Sequence, residues 1–157
     1  MAYLIKPAKI NDKEIIRKML QPYLTELSRF DDISPDPKNE KGEYVYPYLD
    51  NYWEEADRHP YLFNCSEKIA GFALVSKEGD TYEMAEFYVL PEFRHRGVGT
   101  ACAADIFRKH AGHWRIGFNR QNQASRQLWK KMTRNLAKGK IEEGETDTSH
   151  DYLRFLV

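Results

Sequence analysis

Hydrophobic positions recur along this chain with two different periods, and the places where the period changes mark its elements. Ile15, Ile16, Met19, Leu20, Tyr23, Leu24 and Leu27 return at three- and four-residue spacing. That predicts an amphipathic helix over residues 12–29, capped by Asn11 or Asp12 and kinked or broken at Pro22. Ahead of it, Tyr3 to Ile5 is a short apolar run closed by Lys6-Pro7, the pattern of a first strand. Residues 61–64 and 69–76 read as antiparallel strands around Ser66-Glu67-Lys68. Lys77-Glu78-Gly79-Asp80 then turns the chain into an aromatic and β-branched run that ends at Pro91, which cannot donate to a ladder. The helical period returns over 100–110, Gly112 breaks it, and Trp114 to Phe118 alternates as a fifth strand. A further helix runs to Met132, residues 138–150 form a hairpin or flexible loop, and Tyr152 to Val157 closes the chain as a strand. This succession predicts one α/β domain over residues 1–157.

Two stretches interrupt the pattern. Residues 31–43 are polar and carry Pro35 and Pro37, which predicts an exposed connection. Residues 44–60 instead concentrate aromatics and carboxylates, with Asp50 placed to cap a helix ending before Pro60.

Charge and cysteine content narrow the function. Lys plus Arg equals Asp plus Glu at 24 each, so no global field draws a polyanion and nucleic acid is not an expected partner. The two cysteines, Cys65 and Cys102, sit in no metal-ligand cluster, and no metal is expected. No stretch approaches the roughly 20 apolar residues that span a bilayer, and the amino terminus has no signal-like apolar region. A cytoplasmic location is expected.

The most informative run is Met84 to Phe107. A strand ends at Leu90-Pro91 and a tight loop, Arg94-His95-Arg96-Gly97-Val98-Gly99-Thr100, opens a helix of small residues. Glycine permits close backbone approach, and the unpaired N–H groups and dipole of the helix start suit a diphosphate, with Arg94 and Arg96 adding full charges. The loop lacks the Gly-Lys-Ser/Thr of a P-loop and the third glycine of a dinucleotide fold.

Arg94-x-x-Gly97-x-Gly99 after such a strand resembles the acetyl-CoA loop of the GNAT superfamily of N-acetyltransferases. Asn122-x-x-Ser125-x-x-x-Trp129 resembles that superfamily's second motif, with tryptophan where many members have tyrosine. The strand Ala85 to Val89 together with this helix is similar to an uncharacterised branch of it. The resemblance implies a mixed, mostly antiparallel sheet splayed between strands 4 and 5, with helices on both faces. It implies acetyl-CoA as cosubstrate, held by Phe87, Tyr88, Val89, the 94–100 loop (Arg94, His95, Arg96, Gly97, Val98, Gly99, Thr100), Asn122, Ser125 and Trp129. It also puts residues 44–60 at the acceptor wall, with Tyr46, Tyr52 and Trp53 as substrate contacts; the alternative is that these aromatics pack a helix onto the sheet.

Acetyl transfer to an amine needs a proton acceptor, and a carboxylate in a half-buried mouth suits that role. Glu86 and Glu83 are the candidates. A regular strand points them to opposite faces, and Glu86 lies nearer the mouth. Indole has no acidic proton to give a departing thiolate, so Trp129 is expected to pack and water to protonate the leaving group. Arg120, Arg126 and His59 read as surface groups. The expected function is transfer of acetyl to a primary amine of a small molecule or peptide by direct attack in a ternary complex, by a monomer or homodimer. The alternative is a non-catalytic module that senses CoA or acetyl-CoA.

Overall fold

Ala70 to Val75 are all buried, so both faces of their strand are covered, and the sheet grows outward from it. The computed structural model describes residues 3–30 and 37–157. Its strands are β1 (Tyr3–Pro7), β2 (Arg58–Cys65), β3 (Lys68–Glu78), β4 (Thr81–Val89), β5 (His113–Asn119), β6 (Glu142–Glu145) and β7 (His150–Leu156). They form one sheet in the order β1-β2-β3-β4-β5-β7-β6. Every neighbouring pair is antiparallel except β4 with β5. The helices are α1 (Lys13–Leu27), α2 (Asn51–Glu54), α3 (Val98–Lys109) and α4 (Gln123–Leu136).

Two cores follow from strand alternation. On one face, Ile106 and Phe107 of α3 and Trp129 and Met132 of α4 pack against Phe63, Trp114 and Leu153. On the other, Ile16, Leu20 and Leu24 of α1 and Tyr52 of α2 pack against Leu62, Phe72, Leu74 and Tyr88. This second core reaches β2, β3 and β4, and among the described residues no helix packs on that side of β5, β7 and β6.

β4 and β5 pair only from Thr81 to Glu83 with His113 to Arg115, although both strands run on. Beyond that point they part, as the resemblance implied. A second irregularity lies between β3 and β4, where Val75 pairs with Met84 but Leu74 with Glu86, leaving Ala85 as a bulge.

Several expectations need correction. α1 runs through Pro22 without a break, because Leu20 and Leu24 on either side are held in the core. α2 is a single turn ending at Glu54, and Pro60 lies within β2, one residue beyond its last pair with β1, where a missing N–H is tolerated. Asp50 makes no capping bond there and instead ion-pairs with Lys13. Of the 31–43 connection, residues 31–36 lie outside the described residues.

His59 is not a loose surface group. Its ring packs at a tilt against that of His110, 4.6 Å between centroids, and the His110 ring meets the Tyr61 hydroxyl at 2.6 Å. Burial and then the neighbouring His59 push the His110 pKa from 6.5 down to about 4. The unfolded chain therefore takes up a proton that the folded chain refuses, and stability falls as pH drops through the window from 6.5 toward 4. Thermal denaturation across that window should show a falling Tm, with a shallower fall in His110→Gln.

Gly71 sets how closely β3 lies to β4. A Cβ there would overlap the Tyr88 carbonyl and meet the Phe63 ring at 3.0 Å. Urea unfolding of Gly71→Ala should show a loss of at least about 2 kcal/mol, the scale of overpacking in a core; unchanged stability would mean that the strands relax without cost.

Candidate active site

The last rung between β4 and β5 pairs Glu83 with Arg115, and their side chains form an ion pair at 3.6 Å. From this apex the strands diverge around a cavity of about 880 Å³. Tyr23, Tyr46 and Glu86 line it on the α1 side, and Asn122, Ser125 and Trp129 on the α4 side. The cavity therefore passes through the sheet at the gap. Two reactants can meet in such a passage from opposite faces.

The bulge at Ala85 changes the parity of the two candidate carboxylates. Glu83 and Glu86 both project to the α1 side, whereas a regular strand separates them. Their surroundings then distinguish them: Glu83 faces the Arg115 guanidinium, and Glu86 accepts a hydrogen bond from the Tyr23 hydroxyl at 3.3 Å. Burial, and next the Glu86 charge, raise the Tyr23 pKa well above its ordinary value, so the phenol keeps its proton and remains a donor. Tyr46 is shifted upward by the same two causes in the same order. Burial pushes Tyr52 up to about 12, with Arg58 opposing and Glu86 adding to the rise. Neutral phenols thus surround Glu86, an arrangement that suits an ammonium group.

Of the expected acceptor contacts, only Tyr46 lines the cavity. Tyr52 is 3% exposed in the core beneath Arg58, and the Trp53 indole donates to the Ala8 carbonyl at 3.0 Å. For these two, packing onto the sheet is the reading that the structure supports.

The 94–100 loop ends in an unusual backbone. His95 and Gly97 are both left-handed, at φ +62° and +81°, and no side chain caps the start of α3. Alternating handedness turns successive N–H groups to one side, a geometry that can hold an anion at the positive end of a helix dipole. Gly99 has a second reason to be glycine: a Cβ would stand 3.3 Å from Val89 Cγ2 and 3.7 Å from Phe87 Cε1, so α3 lies directly on the end of β4. Val98 is buried and Thr100 partly buried. Tyr88 is buried on the α1 side, while Phe87 lies under the cavity. Arg96 is exposed beside the loop. Arg94 departs from expectation: its Nε donates to the Val89 carbonyl at 2.8 Å and its Nη2 to Glu26 at 3.0 Å. The Glu26 pair is about one-third exposed, worth at most about 1 kcal/mol. Arg94 nevertheless serves β4 and α1 before any ligand.

The second motif has structural duties as well. Asn122 caps α4, its Oδ1 accepting from the Ser125 N–H at 3.2 Å. Trp129 is 5% exposed and meets Phe87 edge-on at 5.1 Å, which makes it a wall of the gap. Arg120 and Arg126 are not free surface groups; both clamp the buried Asp151, at 2.8 and 2.6 Å. Asp151 is the buried member, and its carboxylate is compensated by these two guanidiniums, so the clamp fixes α4 to β7.

Sequence reasoning missed Tyr23, Arg115, Asp151 and Asn119, whose amide donates to the Phe30 carbonyl at 3.0 Å. Only Tyr23 gave a signal: it is the one hydroxyl-bearing residue in the apolar stripe of α1. Among the described residues, no three His, Cys, Asp or Glu side chains are grouped to hold a metal, and no helix is long and apolar enough to cross a membrane.

Comparison with known proteins agrees with this geometry. Among solved structures, the chain is similar to the GNAT domain of S. lividans PAT, with a TM-score of 0.71 and 13% identity over 98% of this chain and 89% of that one. It is similar to the PaiA N-acetyltransferase from Thermoplasma acidophilum in complex with coenzyme A, at TM-score 0.67 and 17% identity over 100% of both chains. The ribosomal-protein-S18-alanine N-acetyltransferase from Escherichia coli gives a TM-score of 0.59 and 14% identity over 98% of this chain and 91% of that one. No curated protein matches the sequence. The acetyltransferase (GNAT) family profile matches residues 24–133, and the chain belongs to that family.

Proposed function

We propose that the chain is a single-domain enzyme that transfers acetyl from acetyl-CoA to a primary amine of a small molecule or peptide, by direct attack within a ternary complex. The observation that carries this reading is the passage through the sheet, lined by Phe87, Asn122, Ser125 and Trp129 toward α4 and by Tyr23, Tyr46 and Glu86 toward α1. The left-handed loop fits a diphosphate, and Asn122, Ser125 and Trp129 fit the pantetheine arm. Acetyl-CoA supplies a thioester carbonyl to be attacked and a thiolate to leave.

The chain's own residues would order and deprotonate the amine. Glu86 draws the ammonium group into the gap, beside the neutral phenols of Tyr23 and Tyr46. It then accepts a proton, directly or through water, so that the nitrogen lone pair can form the new C–N bond as the C–S bond breaks. Tyr23 fixes the carboxylate's orientation. Water protonates the thiolate, since Trp129 offers no acid.

Release of free CoA thiol, followed with acetyl-CoA and a panel of primary amines, tests the reaction. Glu86→Gln should lower kcat/KM by about 10²–10⁴-fold, the usual range for losing a general base, and remove the acidic limb of its pH profile. Glu83→Gln should leave that limb in place. Thiol release by no amine, with acetyl-CoA binding intact, would turn the reading to a CoA-sensing module.

A further inference from the structure

Among the described residues, no helix packs on the side of β5 and β7 beside the acceptor mouth, and that side carries a like-charge pair. Arg115 of β5 and Arg154 of β7 are direct cross-strand partners, and both project to the face that no helix covers. Like charges directly opposite one another on a sheet are destabilising. Tyr152 lies beside both, its ring 5.0 Å from the Arg115 guanidinium and 5.5 Å from that of Arg154. This ring sits low against the sheet: it fills the space over Gly144, where a Cβ would overlap it. Among the described residues, no carboxylate lies within ion-pair reach of Arg154. Its cross-strand neighbour Glu142 instead accepts a hydrogen bond from the Tyr152 hydroxyl at 3.3 Å.

This pair lies beside the reaction site. Glu83 and Arg115 line both the gap cavity and a second hollow of about 650 Å³ over β5 and β7, to which Arg154 and Lys140 also contribute. The two spaces therefore meet at the apex of the splay. The Glu83–Arg115 contact between them is long, at 3.6 Å, and both side chains are part-exposed, so an incoming carboxylate can share the guanidinium. Carboxylates of Glu78, Asp80 and Glu142 rim the same hollow, which suits one anionic group held between two arginines and disfavours a polyanion.

We infer that the acceptor is an amine that also carries an oxyanion, and that Arg115 and Arg154 hold this anion while Glu86 holds the amine. The inference rests on the acetyl-transfer reading for the identity of the Glu86 site. Planar guanidiniums seated on an aromatic ring are matched to a carboxylate or phosphate by bidentate hydrogen bonding. Along β4, Glu86 lies three residues beyond Glu83, roughly 10 Å at ordinary strand rise and a little less across the bulge, while Arg115 and Arg154 lie one and two strands to the side at about 4.8 Å each, which puts the anion roughly 12 Å from Glu86. An extended peptide with a free α-amine reaches that far with the side chain of its third residue.

The probes are three carboxy-amidated tetrapeptides with free α-amines, Ala-Ala-X-Ala, where X is glutamate, glutamine or phosphoserine. Their binding to the protein in the presence of CoA is measured by calorimetry. The glutamate peptide should bind at least about tenfold more tightly than the glutamine peptide, the difference expected of one charge-assisted contact. Arg154→Gln should bring the two within about twofold, and Arg154→Lys should retain part of the preference. Tighter binding of the phosphoserine peptide would keep the arginine pair and assign it phosphate. The Tm of Arg154→Gln should stay level or rise, since the substitution relieves a like-charge pair. Equal affinity for the glutamate and glutamine peptides, no binding of any of the three, a preference that survives Arg154→Gln, or a marked fall in that variant's Tm would each overturn the assignment. Selective binding without thiol release in a parallel acetyl-CoA assay would support the anion site and count against acetyl transfer instead.

Discussion

The parallel ladder between β4 and β5 stops at Glu83 and Arg115, and the organisation of the site follows from that stop. A sheet that parts in its middle leaves backbone groups without strand partners, and buried polar groups of this kind must be satisfied elsewhere or left for a ligand. Part of the answer lies in α1. At the β4 arm, Arg94 donates to the Val89 carbonyl and reaches Glu26 of α1; at the β5 arm, Asn119 donates to Phe30, just beyond the end of α1. The α1 segment thus spans the divergence and touches both arms. The Asp151 clamp, binding Arg120 and Arg126, holds α4 on the opposite face.

These contacts differ in weight. Glu26 with Arg94 is a part-exposed pair, worth at most about 1 kcal/mol, and can yield to a competing anion. Asp151 is 4% exposed between two guanidiniums, where losing one partner leaves a buried carboxylate with half of its compensation. The α4 wall, with Trp129 edge-on to Phe87, is therefore the more firmly anchored side of the gap, and the α1 wall carries Tyr23, Tyr46 and Glu86, the groups proposed to meet the acceptor.

Much of this was legible in the sequence because it depends on local rules. Strand and helix periods placed the meander and the main helices, and the Gly97-x-Gly99 loop announced the start of α3. The bulge at Ala85 was not legible: nothing in Glu83-Met84-Ala85-Glu86 marks the slip in register against Leu74 and Val75, yet it puts both carboxylates on one side. Residues 44–60 misled for the opposite reason. Their aromatic density suggested a substrate wall, but Tyr52 and Trp53 are consumed by packing over β2 and by a bond to Ala8, because a single-turn helix needs those anchors to stay on the sheet. Arg94, Arg120 and Arg126 looked free because their partners, Glu26 and Asp151, lie 25 or more residues away in sequence.

A crystal structure of the chain with CoA would test the central claim, that the opening between β4 and β5 is where the two substrates meet. The account predicts the diphosphate against the N–H groups of residues 95–100 and the thiol sulfur in the gap, between Phe87 and Trp129 and within one water of Glu86. A diphosphate bound away from that loop, or a pantetheine arm lying outside a closed gap, would contradict it.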